Sequence, residues 1–200
     1  MTSTEHWDAI YATKADAELS WTQSTPRMSL SLIHEVCPAG RVVDVGGGNS
    51  VLVDKLLDGG YRVCVLDISE AALSRARHRL GERVDQVRWI TADITTGPDL
   101  GTFDLWHDRA VFHFLTDPTE RAAYVTLLSR TVRAGGHVVF ATFALDGPER
   151  CSGLEVRRYD ETTLGAELGM EFDLIKCMRE THHTPWGKPQ AFQYSVFKRR

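Results

Sequence analysis

Four cysteines in 200 residues, none in a C-x-x-C pair, leave this chain without zinc-ribbon spacing or a disulfide framework. No apolar run comes near the roughly 18 residues that a membrane span needs. The opening stretch, MTSTEHWDAI, lacks the apolar core of a secretory signal. There is no basic excess: the net charge is −4 at pH 7, and a terminal KRR is too short to make a phosphate-binding face. Repeats, low-complexity tracts and linkers are missing too. These absences predict a single domain over 1–200, with residues 1–40 as an N-terminal lid and helix segment and 41–200 as the core. They also predict a cytoplasmic protein with no metal site and no membrane or nucleic-acid partner. Oligomeric state is open, with a monomer the simpler expectation. Cys64 and Cys177 fall in strand-like runs and are expected to be buried, whereas Cys151 sits in a Gly/Pro-rich loop and is expected at the surface.

What is present is alternation. Strand-length runs at 41–45, 61–68, 87–94, 103–108 and 137–144 are separated by helical patterns at 50–60, 69–81 and 118–136, as in a parallel sheet with crossover helices. Ser69 has the character of an N-cap, Gly81 of a stop, and Pro118 of a first-turn residue. A helix near 160–168 follows. Two late runs, 171–179 and 190–198, are joined by a loop, which implies a hairpin with one antiparallel strand. Residues 26–37 read as a helix, and 1–25 as a polar, tryptophan-containing segment.

The chemistry starts at RVVDVGGGNS (41–50), where three glycines follow a β-branched run. A bare backbone at a strand end admits a ligand closely, and two ligands compete. A dinucleotide calls for G-x-G-x-x-G, but here Gly46, Gly48 and Ser50 are spaced GxGxS, with Gly47 and Asn49 between them. Asp44, at the lip of the turn, would repel a pyrophosphate and suits an ammonium and a sulfonium, the two cations of S-adenosylmethionine. Asp67 ends the second run, where an acid accepts both ribose hydroxyls, with Ile68 next to it. Asp93 ends the third, between Ala92 and Ile94, placed to accept from the adenine amine while the Ile94 N–H faces the ring. Three acids at three successive strand ends are hard to explain as helix caps alone.

Read as a set, the motifs resemble those of the class I S-adenosylmethionine-dependent methyltransferases. VVDVGGGNS resembles the family's first motif, VCVLDIS its second-strand acid, and ITADIT its adenine motif. FDLWHDRAVFHFLTDP resembles its fourth-strand segment, and LLSRTVRAGGHVVFATF its helix–turn–strand. Ser50 in place of a third glycine and Ala134 in place of a proline are the departures. The resemblance covers about four fifths of the chain. It implies a three-layer α/β Rossmann-like fold with sheet order 3-2-1-4-5-7-6, strand 7 being antiparallel, and S-adenosyl-L-methionine as cofactor.

The methyl acceptor is written less clearly. NPPY and DPPY motifs, a paired-glutamate loop, an arsenite-binding cysteine set and a catechol-type magnesium constellation are all missing. SWTQSTP (20–26) resembles the segment that closes over the cofactor in thiol- and thiopurine-methylating enzymes, which makes Trp21 a cofactor contact and Gln23 an acceptor-pocket candidate. Asp108 and Arg109 open the turn after the fourth strand and are candidates for touching the methionine portion. His113 and Asp108 are the candidate catalytic bases, although each also reads as pocket wall. His113, Cys151 and Tyr159 are candidates to line the acceptor site. HHTPWGKP (182–189) is expected as a solvated hairpin tip. The expected function is methyl transfer to a small molecule, at a thiol sulfur first and at nitrogen or oxygen otherwise. A protein-lysine methyltransferase and a non-catalytic cofactor-binding module are the alternatives.

Overall fold

The computed structural model describes residues 3–200. Helix α1 (Ser3–Thr13) opens the chain, and α2 (Arg27–Val36) follows a single turn at Asp16–Glu18. Strand β1 (Arg41–Val45) then leads through the glycine turn to α3 (Leu52–Asp58), β2 (Arg62–Asp67), α4 (Glu70–Leu80), β3 (Val87–Thr91) and β4 (Phe103–Arg109). Helix α5 (Pro118–Thr131) and β5 (Val132–Phe143) come next. A two-residue ribbon, β6 (Arg150–Cys151) and β7 (Leu154–Glu155), precedes α6 (Glu161–Leu168) and the hairpin of β8 (Phe172–His183) and β9 (Pro189–Arg199).

Seven strands form one sheet in the order β3-β2-β1-β4-β5-β9-β8. The first five are parallel, and β9 runs antiparallel to both β5 and β8. With β9 as the seventh strand of the sheet and β8 as the sixth, this is the expected order. Helices α2, α3 and α4 supply apolar side chains to one face, α5 and α6 to the other. Val42, Leu105 and Val139 point to the first face; Val43, Trp106 and Phe140 point to the second. Each such fully buried aliphatic side chain stabilises the fold by about 1.5–3 kcal/mol.

Local signals set the ends. Ser69 Oγ accepts from the Ala72 N–H at 3.1 Å, and Gly81, at φ 57°, closes α4 in a backbone region closed to most side chains. Asp117 and Asp160 cap α5 and α6 in the same manner. Helix α5 ends at Thr131, three residues short of the glycine pair, because Val132 is already bonded beside Phe103 of β4 and fully buried. The expected polar segment before residue 26 is half helical: α1 packs on α4, where Asp8 accepts from the Ser69 hydroxyl at 2.6 Å.

Three expectations are corrected at the surface. Cys151 is buried and Cys177 exposed, the reverse of the sequence reading. Strand β8 lies at the sheet edge, so Leu174, Ile175 and Met178 are exposed with Cys177, and an apolar run alone does not reveal an edge. The hairpin tip is not wholly solvated: His182 is buried, its Nε2 2.7 Å from the Ser20 carbonyl oxygen.

Candidate active site

The carboxyl ends of β1, β2, β3 and β4 meet beneath α1 and the segment around Trp21, and two adjoining cavities open there. The larger runs from Asp67, Ile68, Ala92, Asp93 and Ile94 at one end to Phe143, Cys151 and Phe192 at the other. The smaller lies over the glycine turn, against Asp44, Gly46, Gly47 and Asn49. Tyr11, Trp21, Gly46 and Arg109 border both, so the two are compartments of one site.

The turn itself explains its glycines. Gly46 and Gly48 have φ of 64° and 50°, where an L side chain is strained. A Cβ on Gly46 would stand 1.9 Å from Val111 Cγ2, and one on Gly48 2.6 Å from the Tyr11 hydroxyl. The bare backbone thus admits Val111 and Tyr11 as walls, where the sequence suggested only the approach of a ligand. Ser50, standing where a third glycine was sought, receives the Leu52 N–H on its hydroxyl at 3.1 Å and starts α3. Asn49 turns its amide to Asp16 at 2.6 Å while remaining on the cavity wall.

Both acids line the cavity and also hold the backbone that follows them. Asp67 Oδ1 accepts from the Ser69 N–H at 2.8 Å, and burial pushes its carboxyl up to about 6. Asp93 Oδ1 takes the Thr95 N–H and hydroxyl at 2.8 and 2.7 Å. Asp44 is less open than a lip residue. One oxygen is 2.7 Å from His107 Nδ1, and His107 Nε2 is 2.9 Å from the Ser29 hydroxyl. All three residues are buried. An imidazole donating to a carboxylate from Nδ1 presents Nε2 as acceptor, so Ser29 and His107 hold Asp44 in one orientation.

The candidate bases have other occupations. Asp108 is fully buried, accepts from the Val111 and Phe112 N–H groups at 2.9 and 3.1 Å, and receives the Tyr124 hydroxyl. Burial raises its carboxyl to about 6. Its work is to lock the turn that places Ala110 at φ 72° and Val111 against Gly46; it borders neither cavity. His113 is also fully buried, its ring 4.5 Å from Phe114 and 4.7 Å from Phe143, with Nδ1 accepting from the Phe143 N–H at 3.3 Å. Burial first, then the nearby Arg109 charge, pushes it down to about 3, so it is neutral at physiological pH and sits one layer behind the wall.

Of the remaining candidates, Cys151 borders the larger cavity, with burial pushing its thiol up. Tyr159 is sealed in the opposite core against Phe112, and borders neither cavity. Gln23 borders the smaller cavity and not the larger one. Arg109 lies over the Phe192 ring at 4.6 Å and donates from Nη1 to the Trp21 carbonyl at 3.1 Å. Sequence reading missed Trp7, Tyr11, Phe114, Phe143 and Phe192. Of these only Trp7 and Tyr11 carried a signal, two aromatics at i and i+4 in HWDAIYA. The Trp21 indole donates to the Tyr11 hydroxyl at 3.1 Å and meets Trp7 edge to face.

The donor set fits S-adenosylmethionine. Asp67 and Asp93 line the larger cavity and Asp44 stands beside the glycine turn, and among the described residues Arg109 is the one arginine or lysine bordering either cavity. A pyrophosphate would meet that excess of negative charge unfavourably.

Comparison with known proteins agrees. Residues 42–136 match the family described as a methyltransferase domain. The ubiquinone biosynthesis O-methyltransferase of Aromatoleum aromaticum is 30% identical over 145 residues, which is 71% of this chain and 55% of that one. The eEF1A lysine and N-terminal methyltransferase of Danio rerio is 27% identical over 147 residues, 71% of this chain but 21% of that one. The chain spans between 21% and 59% of the length of these and two further curated relatives. In fold it is like the N-methyltransferase NodS from Bradyrhizobium japonicum, solved with S-adenosyl-L-homocysteine: the TM-score is 0.76 at 17% identity, over 99% of each chain. Fold, strand-end acids and domain match define a Rossmann-like methyltransferase. Over these residues the chain is similar to the class I S-adenosylmethionine-dependent methyltransferases.

Proposed function

We propose that this protein methylates a small molecule, and that the accepting atom is a thiol sulfur. Asp67 would hold the ribose, Asp93 and the Ile94 N–H the adenine, and the Gly46–Gly48 backbone with Asp44 the methionine end. The bound cofactor supplies a methyl group on a sulfonium. The protein's own contribution is placement and exclusion of water. Trp7, Tyr11 and Trp21 cover the site from above, and the β6–β7 ribbon brings Cys151 and Leu154 to its far end. Such an enclosed, aromatic-walled chamber suits a small acceptor, and orientation would supply most of the rate.

The observation that carries the sulfur reading is that neither candidate base is free to take a proton. Asp108 is saturated by two backbone N–H groups and Tyr124, and His113 is neutral, buried and engaged through Nδ1. An alcohol needs a positioned proton acceptor. A thiol of pKa near 8.5 is already a few per cent thiolate at pH 7. Rates measured against pH with two thiols of different pKa should therefore inflect at each thiol's own pKa. His113→Ala should change kcat/KM by less than about tenfold, below the 10²–10⁴ of a lost general base. A shared inflection near 6.5 that vanishes in His113→Ala would make His113 the base and end the thiol mechanism.

A further inference from the structure

Arg109 carries a charge that nothing balances. Its Nε and Nη2 are buried without a hydrogen-bond partner, and among the described residues no carboxylate oxygen lies within 4 Å of it. Nη1 donates to the Trp21 carbonyl, and the Tyr194 hydroxyl is the one other polar side chain that reaches the guanidinium among the described residues. The guanidinium lies against the Phe192 ring, so its face is covered while the Nε–Nη2 edge is left unsatisfied beside the cavity. Two parallel N–H donors of that kind match the two oxygens of a carboxylate.

The surroundings place this edge at the acceptor end. Phe192 belongs to β9, and the Arg109 charge is felt by Cys151 on the ribbon, by His182 on β8 and by Tyr194 on β9. Asp67 and Asp93 stand at the other end of the cavity, and Asp44 already faces the glycine turn. Glu180, whose charge also reaches Tyr194, lies beyond ion-pair distance and leaves one carboxylate oxygen unpartnered itself. The remaining walls of this end are mostly apolar, Phe143, Leu154, Phe114 and the Trp21 ring, with the neutral amide of Gln190 among them.

We infer that the methyl acceptor is an apolar, ring-sized molecule bearing a carboxylate, and that this carboxylate docks on the Nε–Nη2 edge of Arg109. The inference rests on reading the far end of the cavity as the acceptor chamber. Arg109, expected from the sequence to touch the cofactor, becomes the residue that selects the acceptor.

The test is calorimetric titration of the protein loaded with S-adenosylhomocysteine. The probes are benzoate, phenylacetate and 3-phenylpropionate, each against its own carboxamide. At least one acid should bind tenfold or more tightly than its amide. Arg109→Gln should erase that difference while S-adenosylhomocysteine affinity changes less than threefold, and Arg109→Lys should keep part of it. Acids and amides bound alike by the wild type would overturn the assignment. So would a folded Arg109→Gln that keeps the acid preference, or one that loses tenfold or more in S-adenosylhomocysteine affinity, which would give the guanidinium to the cofactor's own carboxylate. A wild type indifferent to S-adenosylhomocysteine would sink the methyltransferase reading instead. The acid–amide comparison on that unloaded protein would still decide the role of Arg109.

Discussion

The two ends of the cavity are built by different rules. At the end over the glycine turn, the acids come from the strand ends and the turns that follow: Asp44 within β1 and Gly46 just after it, Asp67 closing β2, Asp93 after β3. At the far end the walls come from five separate places, namely Trp21, Phe114, Phe143, Leu154 and Phe192, with Arg109 and Gln190 among them. The first end is polar and held by backbone. The second is mostly apolar and held by packing. The backbone end tolerates few side-chain changes, because its geometry is fixed by φ angles and capping bonds. The packed end can change its selectivity one side chain at a time without disturbing the sheet.

The largest effect that would break this contrast is at Gly46. Gly46→Val places a branched side chain on a residue at φ 64° and into Val111. Backbone strain of about 1–3 kcal/mol adds to the clash, and calorimetry should show no S-adenosylhomocysteine binding. Retained binding would mean that the turn is more plastic than its geometry implies.

Next is Asp67. Asp67→Ala should weaken cofactor binding by about 1.5–3 kcal/mol, the scale of hydrogen bonds to a charged group. The pH dependence sharpens the point. Folding raises this carboxyl from its ordinary 3.8 to about 6, so the folded chain holds the proton more tightly than the unfolded one. Its contribution to stability therefore falls as pH rises from about 4 to 6 and remains a cost above that. Asp67→Asn should raise the melting temperature of the ligand-free protein at pH 7.5 and leave it unchanged near pH 4. Cofactor affinity of the wild type should climb with pH through about 6 and then level off. Affinity flat across pH 5–7 would remove Asp67 from the binding surface.

A smaller effect is expected over the N-terminal cover. Limited proteolysis should cleave between α1 and α2 in the free protein and spare it with S-adenosylhomocysteine bound, because Tyr11 and Trp21 border both compartments. Equal cleavage in both states would leave Trp21 as ordinary packing.

The smallest effect concerns His113. Its ring is pushed from 6.5 down to about 3, so the unfolded chain takes up a proton first as pH falls. Its stabilising contribution is present above about 6.5 and lost progressively toward 3. The wild type should thus lose more melting temperature between pH 7 and 5 than His113→Gln does. An identical loss in both would show that the ring is hydrated, and reopen it as a base.

The strands and the acids near their ends were legible because they depend on neighbours in sequence, whereas the sheet order came from the family resemblance. Glycines after VVDV, and an acid closing VCVLD, state their geometry locally. Asp44 was only half legible: that it lies at the turn follows from the strand, but its imidazole partner sits 63 residues on, at His107, and is brought alongside by the β1–β4 register. Cys151 and Cys177 were reversed for the same reason. Burial of a strand residue depends on which strand or helix lies next to it, and β8 has no neighbour on one side. Phe143 and Phe192 face each other across antiparallel strands, and nothing within either strand's own sequence announces the pairing.

The rings of Trp7 and Trp21 meet edge to face, centroids 5.8 Å apart, on the wall of the larger cavity. Two indoles so close share their electronic excitation, and the sense of their mutual tilt gives a signed circular-dichroism couplet. Helix α1 carries one indole and the following loop the other, so any shift between them changes the couplet's amplitude. The unlabelled chain therefore carries an optical gauge of whether its cover is seated.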